Sequence, residues 1–135
     1  MRRVLILGSL PKNEEKLKLY NIIISICNEF TKEVLSPIDT ANFRGSDSER
    51  YERAFKTVGW ADLIIGEQSE PSTGQGMEIR ESTVLKKPLI IIAKNNATIS
   101  GLVKGSPNLI QIIYYNDLED LKLNLNCFLN KLFSK

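Results

Sequence analysis

The sequence contains no histidine and only two cysteines in 135 residues. Without histidine, the chain has neither the commonest general base nor the usual zinc ligand, and it cannot form Ser/His or Cys/His nucleophile pairs. Any acid or base must therefore be a carboxylate, lysine, tyrosine or cysteine. Cys27 and Cys127 both fall in predicted helices among apolar neighbours, which favours buried, reduced thiols over a disulfide.

Long apolar runs and a strong charge imbalance are also missing. No run approaches the roughly 20 apolar residues that span a bilayer, and Arg2 and Arg3 precede a short strand-like segment instead of a signal sequence. The formal net charge of +2 is too small to indicate a nucleic-acid polymer as partner. We therefore expect a cytoplasmic protein without a membrane segment.

The length and the hydrophobic pattern predict one domain over residues 1–135. β-Branched and aliphatic runs predict buried strands, and apolar residues at helical spacing predict helices between them. Residues 37–48 have the composition of a loop. The predicted strands are 3–7, 33–35, 63–66, 89–93 and 109–114, and the predicted helices lie within 11–30, 48–60, 75–85 and from about 117 onwards.

Strands that alternate with helices predict an α/β fold with a mostly parallel five-stranded sheet. Helices should cover both faces, giving a three-layer, doubly wound domain of the flavodoxin-like or Rossmann-like kind. Ligands in such folds bind beyond the carboxyl ends of the strands, where the strand order reverses. Here that edge should collect Gly8 and Ser9, the loop after Gly66 and the segment after Ala93.

The segment from Ser69 to Glu78 carries the strongest chemical signal. Gly74 and Gly76 allow a ligand to approach the backbone, and Ser72 stands where a helix N-terminus can hold a phosphate. Glu78 falls in the first turn of the predicted helix, where a carboxylate can also simply complement the helix dipole or complete a capping box. Asp62 opens the preceding strand, and spacing alone favours a functional carboxylate pair only slightly.

These residues resemble the signature of a known enzyme family. The matching elements are Leu7-Gly8-Ser9, Ala61-Asp62 and the spacing Pro-Ser-x-Gly-x-Gly-x-Glu that ends at Glu78. Over nearly its whole length the chain resembles the nucleoside 2-deoxyribosyltransferase superfamily, in particular its branch of 2'-deoxynucleoside 5'-phosphate N-hydrolases. The resemblance implies a nucleotide-metabolism enzyme in which Glu78 attacks the anomeric carbon and Asp62 is its carboxylate partner. No metal or organic cofactor is implied.

The same resemblance implies a site for a small nucleotide, shared between the subunits of a homodimer. Residues 99–105 look like a segment that reaches the neighbouring subunit's site, where Ser100 would complete the phosphate pocket. The alternative for Ser100 is a cap on a short helix, and that for Tyr20 is a core position. The implied substrate-binding residues are Gly8, Ser9, Tyr20, Ser72, Gly74, Gly76, Ser100, Gly101 and Leu102.

Three departures from the family pattern keep the substrate open. Relatives commonly carry tyrosine at the position of Leu5, arginine at that of Pro11 and histidine near Ile38, so the sugar and base preferences do not transfer. The first hypothesis is hydrolysis of (deoxy)nucleoside 5'-monophosphates to free base and sugar 5-phosphate. The alternatives are transfer of deoxyribose between bases and a non-catalytic nucleotide-binding module.

Overall fold

Five strands alternate with six helices along residues 2–134, which are the residues that this computed structural model describes. The strands are β1 (Arg3–Leu7), β2 (Glu33–Leu35), β3 (Leu63–Glu67), β4 (Leu89–Lys94) and β5 (Leu109–Tyr115). The helices are α1 (Glu14–Cys27), α2 (Pro37–Asn42), α3 (Asp47–Trp60), α4 (Thr73–Val84), α5 (Gly101–Lys104) and α6 (Leu118–Phe133).

The strands form one sheet in the order β2-β1-β3-β4-β5, and every pair is parallel. The chain steps from β1 to β2 on one side and then returns to place β3 on the other side of β1. The strand order therefore reverses between β1 and β3, which is where doubly wound folds bind ligands. The predicted α/β fold with a five-stranded parallel sheet is confirmed.

Each strand side chain points to the opposite face from its neighbour, so the sheet separates two apolar cores. Val4 and Ile6 face a core that also contains residues of α1 and α6. Leu5 and Leu7 face the other core, which contains Val58 of α3 and residues of α4 and α5. Helices thus cover both faces, and α3 and α4 lie on the side of the sheet that carries Leu5.

A short helix replaces the first half of the loop predicted for residues 37–48. Pro37 begins α2 at a position where its missing N–H costs nothing, and Ser36 is the N-cap. The Ser36 hydroxyl accepts a hydrogen bond from Ile38 N at 3.1 Å, and Asp39 accepts one from Ser36 N at 2.8 Å. This capping box holds the backbone helical despite the loop-like composition.

The two cysteines differ in environment. Cys27 is buried as predicted, whereas Cys127 is exposed, so the prediction of a buried thiol was wrong for Cys127. Cys127 lies on α6 between the buried Leu125 and Leu129, and a helix turns its side chain away from the face that they share. In the described part of the chain, no helix combines the length and the apolar character that a membrane crossing requires.

Candidate active site

A cavity of about 180 Å³ lies beside the carboxyl end of β1, at the reversal of strand order. Its floor is apolar, with Leu5, Leu7 and Leu35 from the sheet, and Gly8 closes one side. Helix α3 supplies a wall of residues at helical spacing, and α4 supplies one carboxylate, that of Glu78. We call this space the Glu78 cavity. Its α3 residues are Arg50, Arg53, Ala54 and Thr57.

Glu78 is half-buried in this cavity and lies beyond the first turn of its helix. Because α4 begins at Thr73, earlier than predicted, its first turn contains no acidic residue. The helix dipole and a capping box therefore do not account for Glu78. Burial raises the pKa of the Glu78 carboxyl to about 7, and the positive charge of Arg53 opposes that rise.

Two arginines of α3 share the cavity with Glu78, and neither was predicted from the sequence. The guanidinium carbons of Arg50 and Arg53 lie 5.6 and 5.3 Å from the centroid of the Phe43 ring, within reach of a cation–π interaction. Arg53 Nη1 donates to Thr40 Oγ1 at 3.4 Å. Within residues 2–134, no carboxylate oxygen lies within 4.0 Å of either guanidinium. Their spacing of three residues on one helix face was the only available sequence signal.

Asp62 lies away from this cavity. It precedes β3 at the amino end of that strand, whereas Glu78 follows the carboxyl end. Asp62 Oδ2 accepts a hydrogen bond from Arg3 N at 2.9 Å, and Asp62 N donates to Arg3 O at 2.8 Å. The structure therefore does not bring Asp62 to Glu78, and Glu78 is the one carboxylate among the described residues that line the cavity.

Gly8, Ser9 and Tyr20 form a unit under the turn that follows β1. The Tyr20 side chain is fully buried, and its hydroxyl donates to Ser9 O at 2.5 Å. A Cβ atom at Gly8 would clash with the Tyr20 hydroxyl and lie 3.0 Å from two ring carbons. Burial raises the pKa of Tyr20. Through its hydrogen bond to Ser9 O, the tyrosine supports the backbone of the turn. Of the three residues, Gly8 lines the Glu78 cavity.

The predicted serines lie together in a second, wider space of about 1050 Å³ between α3, α4 and α5, which we call the serine groove. Ser72 caps α4 by accepting from Gln75 N at 3.2 Å, and Ser100 caps α5 by accepting from Leu102 N at 3.2 Å. Both hydroxyls keep their protons available to a ligand. Gly76 and Leu102 also line this groove.

The three remaining glycines among the predicted site residues have open space beside them. A Cβ atom at Gly74, Gly76 or Gly101 would meet no protein atom within 4 Å. These glycines are therefore not required by packing inside the subunit. Gly74 and Gly101 do not line either space, and the Glu78 cavity and the serine groove have no lining residue in common. The two spaces nevertheless lie on adjoining faces of α4, since Met77 lines one and Glu78 the other.

Comparison with known proteins gives a consistent set of relatives, although no family model matches the sequence. The chain is 28% identical over 128 residues to a protein of Methanosarcina mazei named 2'-deoxynucleoside 5'-phosphate N-hydrolase 1, covering 90% of this chain and 80% of that protein. The chain is thus similar to nucleotide N-hydrolases, in line with the resemblance in its sequence.

Two solved structures share the fold. The CMP N-glycosidase of Clostridium botulinum superposes with a TM-score of 0.74 at 21% identity, covering 94% of this chain and 99% of that chain. The 2-deoxyribosyltransferase of Bacillus psychrosaccharolyticus gives a TM-score of 0.67 at 22% identity, covering 88% of this chain and 90% of that chain. The likeness to nucleoside 2-deoxyribosyltransferases that the sequence indicated is confirmed.

Leu5 and Ile38 lie on opposite faces of the sheet. Leu5 lines the Glu78 cavity, so the floor offers no hydroxyl to a ligand at this position. Ile38 packs against the α1 and α6 core instead. The cavity therefore has an apolar floor, and its positive charge comes from Arg50 and Arg53 on the α3 wall.

A buried polar network that was not predicted from the sequence fixes the loop that leads to α4. Glu67 ends β3 with no exposed surface and accepts hydrogen bonds from Tyr115 Oη at 2.6 Å and from Ser69 N at 2.8 Å. Lys16 Nζ lies 3.7 Å from Glu67 Oε1 and 3.1 Å from Glu70 Oε1. Burial and the neighbouring Glu67 raise the pKa of Tyr115. The network ties β3, β5 and α1 to the start of the signature loop.

Proposed function

We propose that this protein hydrolyses the N-glycosidic bond of (deoxy)nucleoside 5'-monophosphates, releasing free base and sugar 5-phosphate. The relatives named as nucleotide N-hydrolases support an enzyme that acts on this class of bond. The observation that carries the proposal is Glu78, a half-buried carboxylate in a cavity at the ligand-binding edge of the sheet.

Glu78 is the proposed nucleophile. Its ionised oxygen attacks C1' of the sugar, the bond from C1' to the base breaks, and water then opens the resulting glycosyl ester. Poor hydration makes the ionised carboxylate more reactive, and the same burial gives it a pKa of about 7. Since only the ionised form attacks, kcat/KM should rise with pH through about 7 and then level off.

The serine groove is the proposed phosphate site. The N-terminus of α4 offers free backbone N–H groups beside the Ser72 hydroxyl, and such helix ends favour anions. Ser100 and Leu102 line the same groove, and in the proposed homodimer the groove residues of one subunit complete the site of the other. Leu102 is 90% exposed in the apolar part of the groove, and a second copy of the chain would bury this surface.

Incubation with a panel of ribonucleotides and 2'-deoxyribonucleotides, with chromatography for free base, tests the proposal. We expect base release from at least one 5'-monophosphate and loss of at least about a thousandfold in kcat for Glu78→Gln. Glu52→Gln removes an exposed carboxylate of α3 outside both spaces and should leave the rate unchanged. Base release by Glu78→Gln at the wild-type rate would contradict the nucleophile assignment.

An acceptor base distinguishes hydrolysis from transfer. A transferase would form a new nucleoside when adenine or cytosine is added, and it would accept unphosphorylated nucleosides. The hydrolase proposed here gives sugar 5-phosphate with or without the acceptor and requires the 5'-phosphate. Nucleotide binding without turnover on any panel member would leave only the non-catalytic module.

A further inference from the structure

The Glu78 cavity offers no acid that can protonate a departing base. Among its described lining residues, the charged groups are Glu78, Arg50 and Arg53, and the sequence contains no histidine. Asp62 lies at the other end of β3. If Glu78 acts as nucleophile, the base must leave before it is protonated, so its negative charge needs a partner in the cavity.

Arg53 has the surroundings of such a partner. It is half-buried, whereas Arg50 is exposed, and it is close enough to Glu78 to oppose the rise in that residue's pKa. In the described chain it contacts the Phe43 ring and donates the 3.4 Å bond to Thr40, and no carboxylate oxygen lies within 4.0 Å of it. A guanidinium has five N–H donors, so most of them remain free to bind a ligand.

We propose that Arg53 binds the base of the substrate and stabilises the negative charge that forms on it as the glycosidic bond breaks. This inference rests on the proposed hydrolase function. The electron pair of the C1'–N bond passes to the base, while a Glu78 oxygen forms the new bond to C1'. The base anion then takes a proton from water, and Arg53 contributes hydrogen bonds and positive charge instead of a proton.

The chemistry of Arg53 also defines which bases suit the site. The guanidinium needs an acceptor atom adjoining the glycosidic nitrogen, such as the 2-carbonyl oxygen of a pyrimidine, where the charge of the leaving base accumulates. The apolar floor of Leu5, Leu7 and Leu35 accommodates the flat ring. Arg53 is thus a catalytic residue of a kind that the carboxylate pair of the sequence hypothesis did not include.

Two substrates with different leaving groups test the role of Arg53. One is the nucleoside 5'-monophosphate that the wild-type protein cleaves, and the other carries 4-nitrophenol on the same sugar 5-phosphate. Nitrophenolate leaves readily without help. Arg53→Gln should therefore lose about a hundredfold or more in kcat on the nucleotide, and only a few-fold on the nitrophenyl substrate. Arg53→Lys keeps the charge and should fall between wild type and Arg53→Gln on the nucleotide.

The control is Lys56→Gln, which removes one exposed positive charge from the same helix outside the cavity and should leave both rates unchanged. Equal losses on both substrates in Arg53→Gln and Arg53→Lys would mean that Arg53 only shapes the cavity, and this result would overturn the inference. An unchanged nucleotide rate in Arg53→Gln would do so too. A wild-type protein that cleaves neither substrate would instead overturn the proposed function itself, and the inference with it.

Discussion

At the scale of single residues, burial disfavours the ionised form of Glu78. Its cavity has an apolar floor, and the nearest compensation is the charge of Arg53. The folded protein therefore binds a proton on Glu78 more tightly than the unfolded chain does, with a pKa of about 7 against an ordinary value of 4.5. The stabilisation from this proton is complete below pH 4.5 and is lost as the pH rises through 7.

Glu78→Gln should consequently be more stable than wild type at alkaline pH. Glutamine has the same shape and no charge to lose hydration, so we expect a gain of about 1 to 3 kcal/mol in the free energy of unfolding at pH 8. At pH 5 the gain should be less than about 1 kcal/mol, because the folded protein holds Glu78 protonated there. Urea denaturation at both pH values measures the difference.

Glu52→Gln provides the matched control. Glu52 is exposed, so its substitution should change the free energy of unfolding by the same amount at both pH values. If Glu78→Gln differs from wild type in stability by the same amount at pH 5 and pH 8, burial does not disfavour the ionised form of Glu78.

The residues of the site differ in how far sequence predicts them. Glu78 was recognisable because its spacing from Ser72, Gly74 and Gly76 is local. Asp62 was paired with it chiefly through the family resemblance, but the five residues of β3 separate the two ends of that strand by about 15 Å. Arg53 was missed because its entry to the cavity depends on how α3 packs over the sheet, which is tertiary information.

At the scale of elements, α4 combines a stabilising cap with the proposed phosphate site. Ser72→Ala removes the acceptor for Gln75 N and should cost about 1 kcal/mol of stability. It should also raise KM for the 5'-monophosphate about tenfold or more, because a hydrogen bond to a charged phosphate is lost. Steady-state kinetics and urea denaturation measure the two effects separately.

Helix α3 provides the control for that prediction. Ser46 is its N-cap, and Ser46 Oγ accepts from Glu49 N at 3.1 Å, much as Ser72 does from Gln75. Ser46→Ala should therefore show the same loss of stability with an unchanged KM. Equal KM values for Ser72→Ala and wild type would mean that Ser72 is only a cap.

Element boundaries also mark the limit of sequence reasoning. The strands were predicted to within a residue or so because buried parallel strands are continuous apolar runs such as residues 89–93 of β4. Helix α2 was missed because Asp, Thr and Asn dominate its composition, although Ser36, Pro37 and Asp39 form a readable capping signal. The early start of α4 at Thr73 was hidden by two glycines, which are poor helix formers.

At the scale of the whole molecule, large apolar side chains are exposed in the serine groove. Leu102, Tyr51 and Met77 are 90%, 60% and 47% exposed, and all three line this groove. A second copy of the chain that covers them would bury apolar surface and bring its own groove residues against the first site, as a two-fold dimer requires. The proposed sharing of sites therefore depends on the same surface as dimer formation.

Leu102→Lys should convert the proposed dimer to a monomer and lower kcat/KM, because a charge in the interface would lose its hydration. Leu123→Lys is the matched control: Leu123 is 72% exposed on α6, outside the groove, and this variant should stay dimeric and active. Light scattering gives the masses. A wild-type mass of one chain, or a Leu102→Lys variant that remains dimeric, would exclude this surface as the interface.

Mixed dimers distinguish sites shared between subunits from sites within one chain, because each shared site would combine Glu78 of one chain with Ser100 of the other. Glu78→Gln and Ser100→Ala are each impaired as pure dimers, but a mixed dimer would contain one site with both substitutions and one with neither. Subunit exchange at equal concentrations makes half of the dimers mixed, so activity should recover to about a quarter of the wild-type rate. If both residues instead served a site within one chain, no intact site would form, and exchange would give no more than the average of the two variants.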